Sequence, residues 1–233
     1  MMQHDIALYW GELGEMVAAM PMAAAARVAE LLFDCHRRGG TVFLLGNGGS
    51  AATASHFACD LAKGTRAEGV PAFRVVPLTD NMPLMTAWAN DTSYERVFAE
   101  QLAALVRPGD VVVLISASGN SPNVLAAARV ARDSGAVAIG WTGATGGKLA
   151  RLCDLALRVP SPSIEQVEDA HMMLAHSLCV ALRARLRTLR YDGAATTAGR
   201  ERSGRERKLS RTMVAELLAA ESSLDAAATS AAP

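Results

Sequence analysis

The apolar positions change period several times along the chain. From Ile6 to Arg38 they recur at helical spacing, through Leu8, Leu13, Val17 and Met20, then Val28, Leu31 and Leu32. Pro21 breaks this run, because proline lacks the backbone donor a helix interior needs. Gly39-Gly40 ends it. The pattern predicts a long N-terminal helical arm. Thr41 to Leu45 is a short apolar run bounded by glycines, which predicts a strand buried on both faces. A glycine-rich loop and a helix of small residues from Ala51 to about Lys63 come next. Ala72 to Leu78 reads as a second strand. Pro83 to Trp88 and Ser93 to Leu105 read as helices.

Val111 to Ile115 is the clearest buried strand. Pro122 then stands where the first turn of a helix begins, and that helix runs to about Asp133. Ala136 to Trp141 and Asp154 to Val159 are further strands, separated by a glycine-rich turn and a short helix. Ser163 to Leu189 is a long helix. Strands that alternate with helices, each strand nearly all apolar, specify an α/β fold. The sheet is a doubly wound, five-stranded parallel sheet covered on both faces.

After Tyr191 the pattern is lost. The chain divides into residues 1–190, one domain with its N-terminal helices, and 191–233, a flexible linker with a short amphipathic helix over Lys208 to Glu221.

Composition narrows the classes. The 233 residues are 51% hydrophobic, enough for a large core, and carry zero formal net charge. No basic face for nucleic acid stands out in the main body, and the run from Arg183 to Arg190 reads as a solvated helix face. No stretch of about 18 apolar residues predicts a membrane span, and no signal-peptide pattern opens the chain. A soluble, cytoplasmic protein is expected. Cys35, Cys59, Cys153 and Cys179 are scattered, which suits buried free thiols and neither a zinc knuckle nor a disulfide framework.

Two loops carry candidate chemistry. Ser116-Ala117-Ser118-Gly119-Asn120-Ser121 leaves a buried strand and enters a helix. A helix start offers unpaired N–H groups and partial positive charge, the serine hydroxyls add donors, and Gly119 lets backbone approach closely. That is a phosphate grip without Lys or Arg. The simpler reading is an N-cap formed by Ser118 or Ser121. Gly46-Asn47-Gly48-Gly49-Ser50 is a second loop of the same type, lacking the Lys-Ser/Thr pair of a P-loop. Two such loops from adjacent strands would face one crevice at the carboxyl edge of the sheet.

His56 and Asp60 stand four residues apart and share a helix face, a spacing able to chelate a metal ion. Glu168 and His176 are eight residues apart, about 12 Å along a helix, so only long side chains leaning together would reach one ion. His171 lies in an apolar run and reads as a packed histidine. His4 and His36 read as surface residues and Lys148 as structural, while Lys63 and Arg66 read as solvent-facing, with added charge near the phosphate as the alternative.

The motifs Gly46-Asn-Gly-Gly-Ser-Ala-Ala with His56-Phe57, and Ile115-Ser-Ala-Ser-Gly-Asn-Ser121, resemble the sugar isomerase (SIS) domain family, and within it the phosphoheptose isomerases. Asn90-Asp91 with Phe98, Thr142-Gly143 with Gly146-Gly147-Lys148, and Val167-Glu-Asp-Ala-His171 with His176 extend the resemblance over roughly residues 1 to 190. It implies a flavodoxin-like SIS fold, a homotetramer and one Zn²⁺ per site. The implied reaction converts sedoheptulose 7-phosphate to D-glycero-D-manno-heptose 7-phosphate through an enediolate.

Residue by residue, the resemblance implies that Ser50, Ser116, Ser118 and Ser121 hold the sugar phosphate. Asn47, Gly48, Gly49, Asp91, Asn120 and Glu168 lie with them around the substrate. It implies His56, Asp60, Glu168 and His176 as metal ligands. Isomerisation needs a base near C1 and C2 and an acid for the oxygens; either His176 or Asp60 is able to carry the proton, with Asp60 favoured as base and His176 as acid. Asp60 stands where these enzymes usually have Glu, and Glu168 where they usually have Gln. Relatives of another class resemble the chain too, being non-catalytic adaptors for a replication initiator protein. Those look to have lost the last-helix histidine, which this chain keeps as His176. An isomerase acting on another phosphosugar is the remaining alternative.

Overall fold

The computed structural model describes residues 1–189, and the expected linker and C-terminal helix lie outside them. Five strands form one sheet: β1 Thr41–Gly46, β2 Arg74–Pro77, β3 Val111–Ile115, β4 Val137–Gly143 and β5 Leu155–Val159. All pairings are parallel, in the order β2-β1-β3-β4-β5. The helices are α1 Met2–Ala18, α2 Met22–Arg37, α3 Gly49–Cys59, α4 Met82–Asp91, α5 Val97–Leu105, α6 Pro122–Asp133, α7 Leu149–Leu152 and α8 Ile164–Arg187. The α/β doubly wound sheet and the helical arm broken at Pro21 are as expected.

The strands read as continuous apolar runs because both faces are covered. Alternate residues serve opposite layers. Phe43, Leu45, Val112, Leu114 and Ala138 pack with Val97, Phe98, Leu102, Val124 and Ala128 of α5 and α6. On the other face lie α2, α3 and α8. There Trp141 of β4 meets Phe57 of α3 with ring centroids 5.3 Å apart, and both side chains are fully buried.

Two aspartates secure the amino edge of the sheet. Asp110 accepts from the Thr41 and Arg107 N–H groups at 2.8 Å each, and Asp154 accepts from the Ala138 N–H at 2.8 Å. These carboxylates satisfy backbone donors where strands begin, which leaves the carboxyl edge for chemistry.

Several sequence expectations change. Helix α3 does not run to Lys63: it ends at Cys59, and Asp60–Gly64 forms a single π-helical turn. His36 is not a surface residue. It is 8% exposed, its Nε2 lies 2.8 Å from the Pro71 carbonyl, and its ring packs on Phe73. Cys59 is exposed, against the expectation of four buried thiols. The basic run is not wholly solvated either. Arg185 pairs with Glu30 and lies 4.1 Å over the Phe33 ring, and Arg183 donates to the Gly64 carbonyl. No single helix among the described residues is long and apolar enough to cross a membrane.

Candidate active site

Strand order places the two glycine-serine loops together. β1 has β2 on one side and β3 on the other, so the chain reverses its winding direction between β1 and β3. That reversal opens a crevice at the carboxyl ends of open α/β sheets. The register pairs Gly46 with Ile115, so both loops leave the sheet at the same level. Each runs into a helix whose start has no side-chain cap: Gly48 precedes α3 and Ser121 precedes α6. At α3 the first N–H groups remain available to an anion, whereas at α6 Pro122 has no N–H and the Val124 N–H donates to Asn123 Oδ1 at 3.0 Å, so less of that start is open.

The Ser116 and Ser121 hydroxyls face each other, and Ser121 does not cap α6. Ser116 Oγ, 4% exposed, lies 3.0 Å from Ser121 Oγ. Ser118 Oγ accepts from the Asn120 N–H at 3.2 Å and is exposed. Ser50 is buried in the first turn of α3. Gly119 has φ +63°, and a Cβ there would stand 2.3 Å from the Gly146 carbonyl oxygen. The close approach joins this loop to the Gly143–Gly147 turn. Asn120 adds to the join by accepting from the Lys148 N–H at 3.1 Å, and the Leu149 N–H donates to Gly119 O at 2.9 Å.

Asn47 ties the first loop to the second helix. Its amide exchanges hydrogen bonds with Asn123, at 2.9 Å from Asn47 Nδ2 and 2.8 Å to Asn47 Oδ1. The Tyr94 hydroxyl donates to the same Oδ1 at 3.1 Å. Asn123 and Tyr94 were not foreseen, since nothing in their local sequence marks them.

A second cluster forms where α3 packs on α8. His56 Nε2 is 2.9 Å from His176 Nε2, and Asp60 Oδ2 is 3.5 and 3.8 Å from the two nitrogens. A triangle with sides of 2.9, 3.5 and 3.8 Å has a circumradius of about 2.0 Å. That equals the usual Zn–N and Zn–carboxylate distances. Two imidazole nitrogens this close also need something between them, either a proton on one or a cation bound to both. The His/Asp/His group thus fits a divalent ion, and no other group of three or more such side chains is found among the described residues. All three side chains are partly open, with 47% of His56, 53% of His176 and 29% of Asp60 exposed. A substrate can reach them.

Not every expected residue joins. Glu168 stands apart from the trio. Its carboxylate lies over Gly49, where an added Cβ would come within 2.4 Å of Oε2. Glycine at 49 makes room for that carboxylate at the start of α3, a position favourable to negative charge. Asp91 is exposed at the end of α4 and accepts from the Asn90 amide at 2.9 Å. Asp169 accepts from the Tyr9 hydroxyl, tying α1 to α8. This bond and the neighbouring negative charge push Tyr9 up to about 12. His171 is 1% exposed beside Trp141, and burial pushes it down to about 4. It is a packed histidine, as expected.

The chain is similar to known proteins along most of this length. The SIS domain model matches residues 11–143. A phosphoheptose isomerase of Roseiflexus sp. (strain RS-1) is 46% identical over 161 residues, covering 68% of this chain and 79% of that one. One of Rhodospirillum rubrum is 44% identical over 167 residues, covering 72% and 86%. The solved phosphoheptose isomerase of Neisseria gonorrhoeae superposes with a TM-score of 0.74 at 33% identity. It covers 79% of this chain and 100% of its own. With matching motifs, fold and sequence together, the chain belongs to the SIS domain family and, within it, to the phosphoheptose isomerases.

Proposed function

We propose that this protein is a metal-dependent isomerase converting sedoheptulose 7-phosphate to D-glycero-D-manno-heptose 7-phosphate. What supports the reading is that α3 starts at the Gly48-Gly49-Ser50 loop, beside the serine loop, and carries His56 to Asp60 and His176, three side chains able to hold a cation. The relatives' shared name supplies the substrate class.

In this reading the phosphate rests at the α6 start against the hydroxyls of Ser116, Ser118 and Ser121. Ser50 and the Gly48-Gly49 backbone contribute from α3. No cationic side chain is needed, because the two helix starts supply partial positive charge. Asn47, Asn120 and Asp91 orient the sugar, and Glu168 bounds the crevice at Gly49. The sugar's carbonyl end then extends toward the trio.

Isomerisation removes a proton from C1 of the ketose and returns one to C2. Electron density moves through an enediolate, the C2 carbonyl becomes a hydroxyl and the C1 hydroxyl becomes the aldehyde. Asp60 takes the C1 proton through the carboxylate oxygen turned away from the imidazoles. His176, beside it, is the acid. A Zn²⁺ held by His56, Asp60 and His176 would polarise the carbonyl and spread the enediolate charge. With its Nε2 on the metal, His176 would act through the ion, which takes the oxygen charge, and Asp60 would return the proton to C2. His176 is the acid only where no metal is held.

Self-association into a tetramer accompanies this reading. Ile6 is 61% and Trp10 66% exposed on α1, apolar area that a second copy would cover. The protein is expected to act in the cytoplasm.

The test is direct. Purified protein, metal-stripped or zinc-loaded, is incubated with sedoheptulose 7-phosphate and the products are followed by NMR. Conversion by the loaded form, abolished in His176→Ala, supports the reading. Bound but unconverted phosphosugar overturns it and favours the adaptor class.

A further inference from the structure

Aspartate has the shortest acidic side chain, so the place of the Asp60 carboxylate is set by its backbone. That backbone is unusual. The turn Asp60–Gly64 is π-helical, closed by the Thr65 N–H donating to Asp60 O at 3.1 Å. Such turns pack less well than α-helix and persist where something holds them. Two contacts do so. The Thr65 hydroxyl, buried, donates to Leu61 O at 2.6 Å. From the opposite helix, Arg183 Nη1 donates to Gly64 O at 3.2 Å.

Arg183 stands seven residues beyond His176 on α8. Seven residues are about 20° short of two turns, so both side chains leave the same face, roughly 10 Å apart. One face of α8 therefore grips one segment at both ends, His176 beside Asp60 and Arg183 at Gly64. Cys179 lies on α8 between these points and senses both. Its thiol is pushed up to about 12, first by burial and then by the Asp60 charge, while Arg183 pulls it down.

We propose that Arg183 is a positioning residue for Asp60. By holding the Gly64 carbonyl it keeps the π turn formed, and so sets the Asp60 carboxylate where it shares a cation with His56 and His176. This rests on the isomerase reading above for its functional meaning, though not for its geometry. Arg183 hydrogen-bonds the Gly64 carbonyl rather than a member of the trio, and in sequence it reads only as the start of a basic run.

The test is a double-mutant cycle on the full chain. Arg183→Met and Arg183→Lys are made alone and together with Asp60→Glu. Zinc affinity is measured by competition with a chromophoric chelator, alongside melting temperature and isomerisation kinetics. Arg183→Met is expected to weaken zinc binding 10- to 100-fold, as loss of a group supporting a metal ligand does, and to lower kcat about tenfold with KM within twofold. Arg183→Lys, which keeps a donor and the charge, stays within about fivefold. In the Asp60→Glu background the loss of Arg183 changes zinc affinity less than about threefold, because a longer carboxylate no longer depends on the turn.

Equal losses in both backgrounds, or an Arg183→Met protein within twofold of wild type, overturn the proposal and leave Arg183 a helix-pairing contact. Should Arg183→Met fail to fold, Arg183→Lys is read in its place. A two- to fivefold loss confined to the Asp60 background supports the proposal, and equal values in both backgrounds overturn it. Zinc binding with no conversion by wild type defeats the isomerase reading alone, and the zinc cycle still decides the role of Arg183. Wild-type protein that binds no zinc overturns both.

Discussion

His56 Nε2 and His176 Nε2 approach to 2.9 Å although 120 residues separate them in sequence. The contact depends on α3 and α8 lying side by side on one face of the sheet, and it brings Asp60 into the same triangle. Removing one corner should empty the site. His56→Ala or His176→Ala is expected to weaken zinc at least 100-fold, read by chelator competition, with the fold intact by circular dichroism. Glu168→Ala, altering a carboxylate that lies over Gly49, should weaken it less than tenfold. Comparable losses in all three variants would place Glu168 among the ligands.

The serine loop makes a separate prediction. Ser121→Ala removes one hydroxyl from a charged ligand, an interaction of about 1.5–3 kcal/mol. The expected effect is a 10- to 100-fold fall in kcat/KM with zinc affinity unchanged. A change below twofold would show that the helix starts alone hold the phosphate.

Gly119→Ala should be more damaging than its one methyl suggests. The new Cβ meets the Gly146 carbonyl at 2.3 Å, on a backbone with φ +63°. The left-handed conformation alone costs about 1–2 kcal/mol, and the clash adds to it. The loop must part from the Gly143–Gly147 turn, so a lower melting temperature and weakened phosphosugar binding are expected together. A variant with wild-type values in both would contradict the close approach.

His171 links stability to pH. Burial lowers its folded-state pKa from 6.5 to about 4. Below pH 6.5 the unfolded chain takes up a proton that the folded chain refuses until about pH 4. Stability therefore falls with pH across this window and is unaffected by His171 above it. The full loss is on the order of 3 kcal/mol. His171→Leu should flatten this part of the profile between pH 6.5 and 4, read as denaturation midpoints against wild type. Parallel profiles would show that His171 is protonated in the folded protein.

Much of the fold is legible because its signals are local. Val111–Ile115 and Pro122–Asp133 coincide with the observed β3 and α6, where an apolar run is bounded by turn residues and proline starts the helix. The two loops and the i, i+4 pair of His56 and Asp60 are legible for the same reason. What escaped depends on partners distant in sequence. The π turn at Asp60 is held by Arg183, 119 residues beyond Gly64. His36 is buried by Pro71 and Phe73, which no helical period foretells. For Glu168, axial spacing gave its distance from His176, but only tertiary packing directs it onto Gly49.

The most direct measurement is proton NMR of sedoheptulose 7-phosphate incubated with the zinc-loaded protein in D₂O. Heptose 7-phosphate carrying solvent deuterium at C2 is expected, since an enediolate is reprotonated from groups that exchange with water. Phosphosugar that is bound yet unchanged after the same incubation would contradict it.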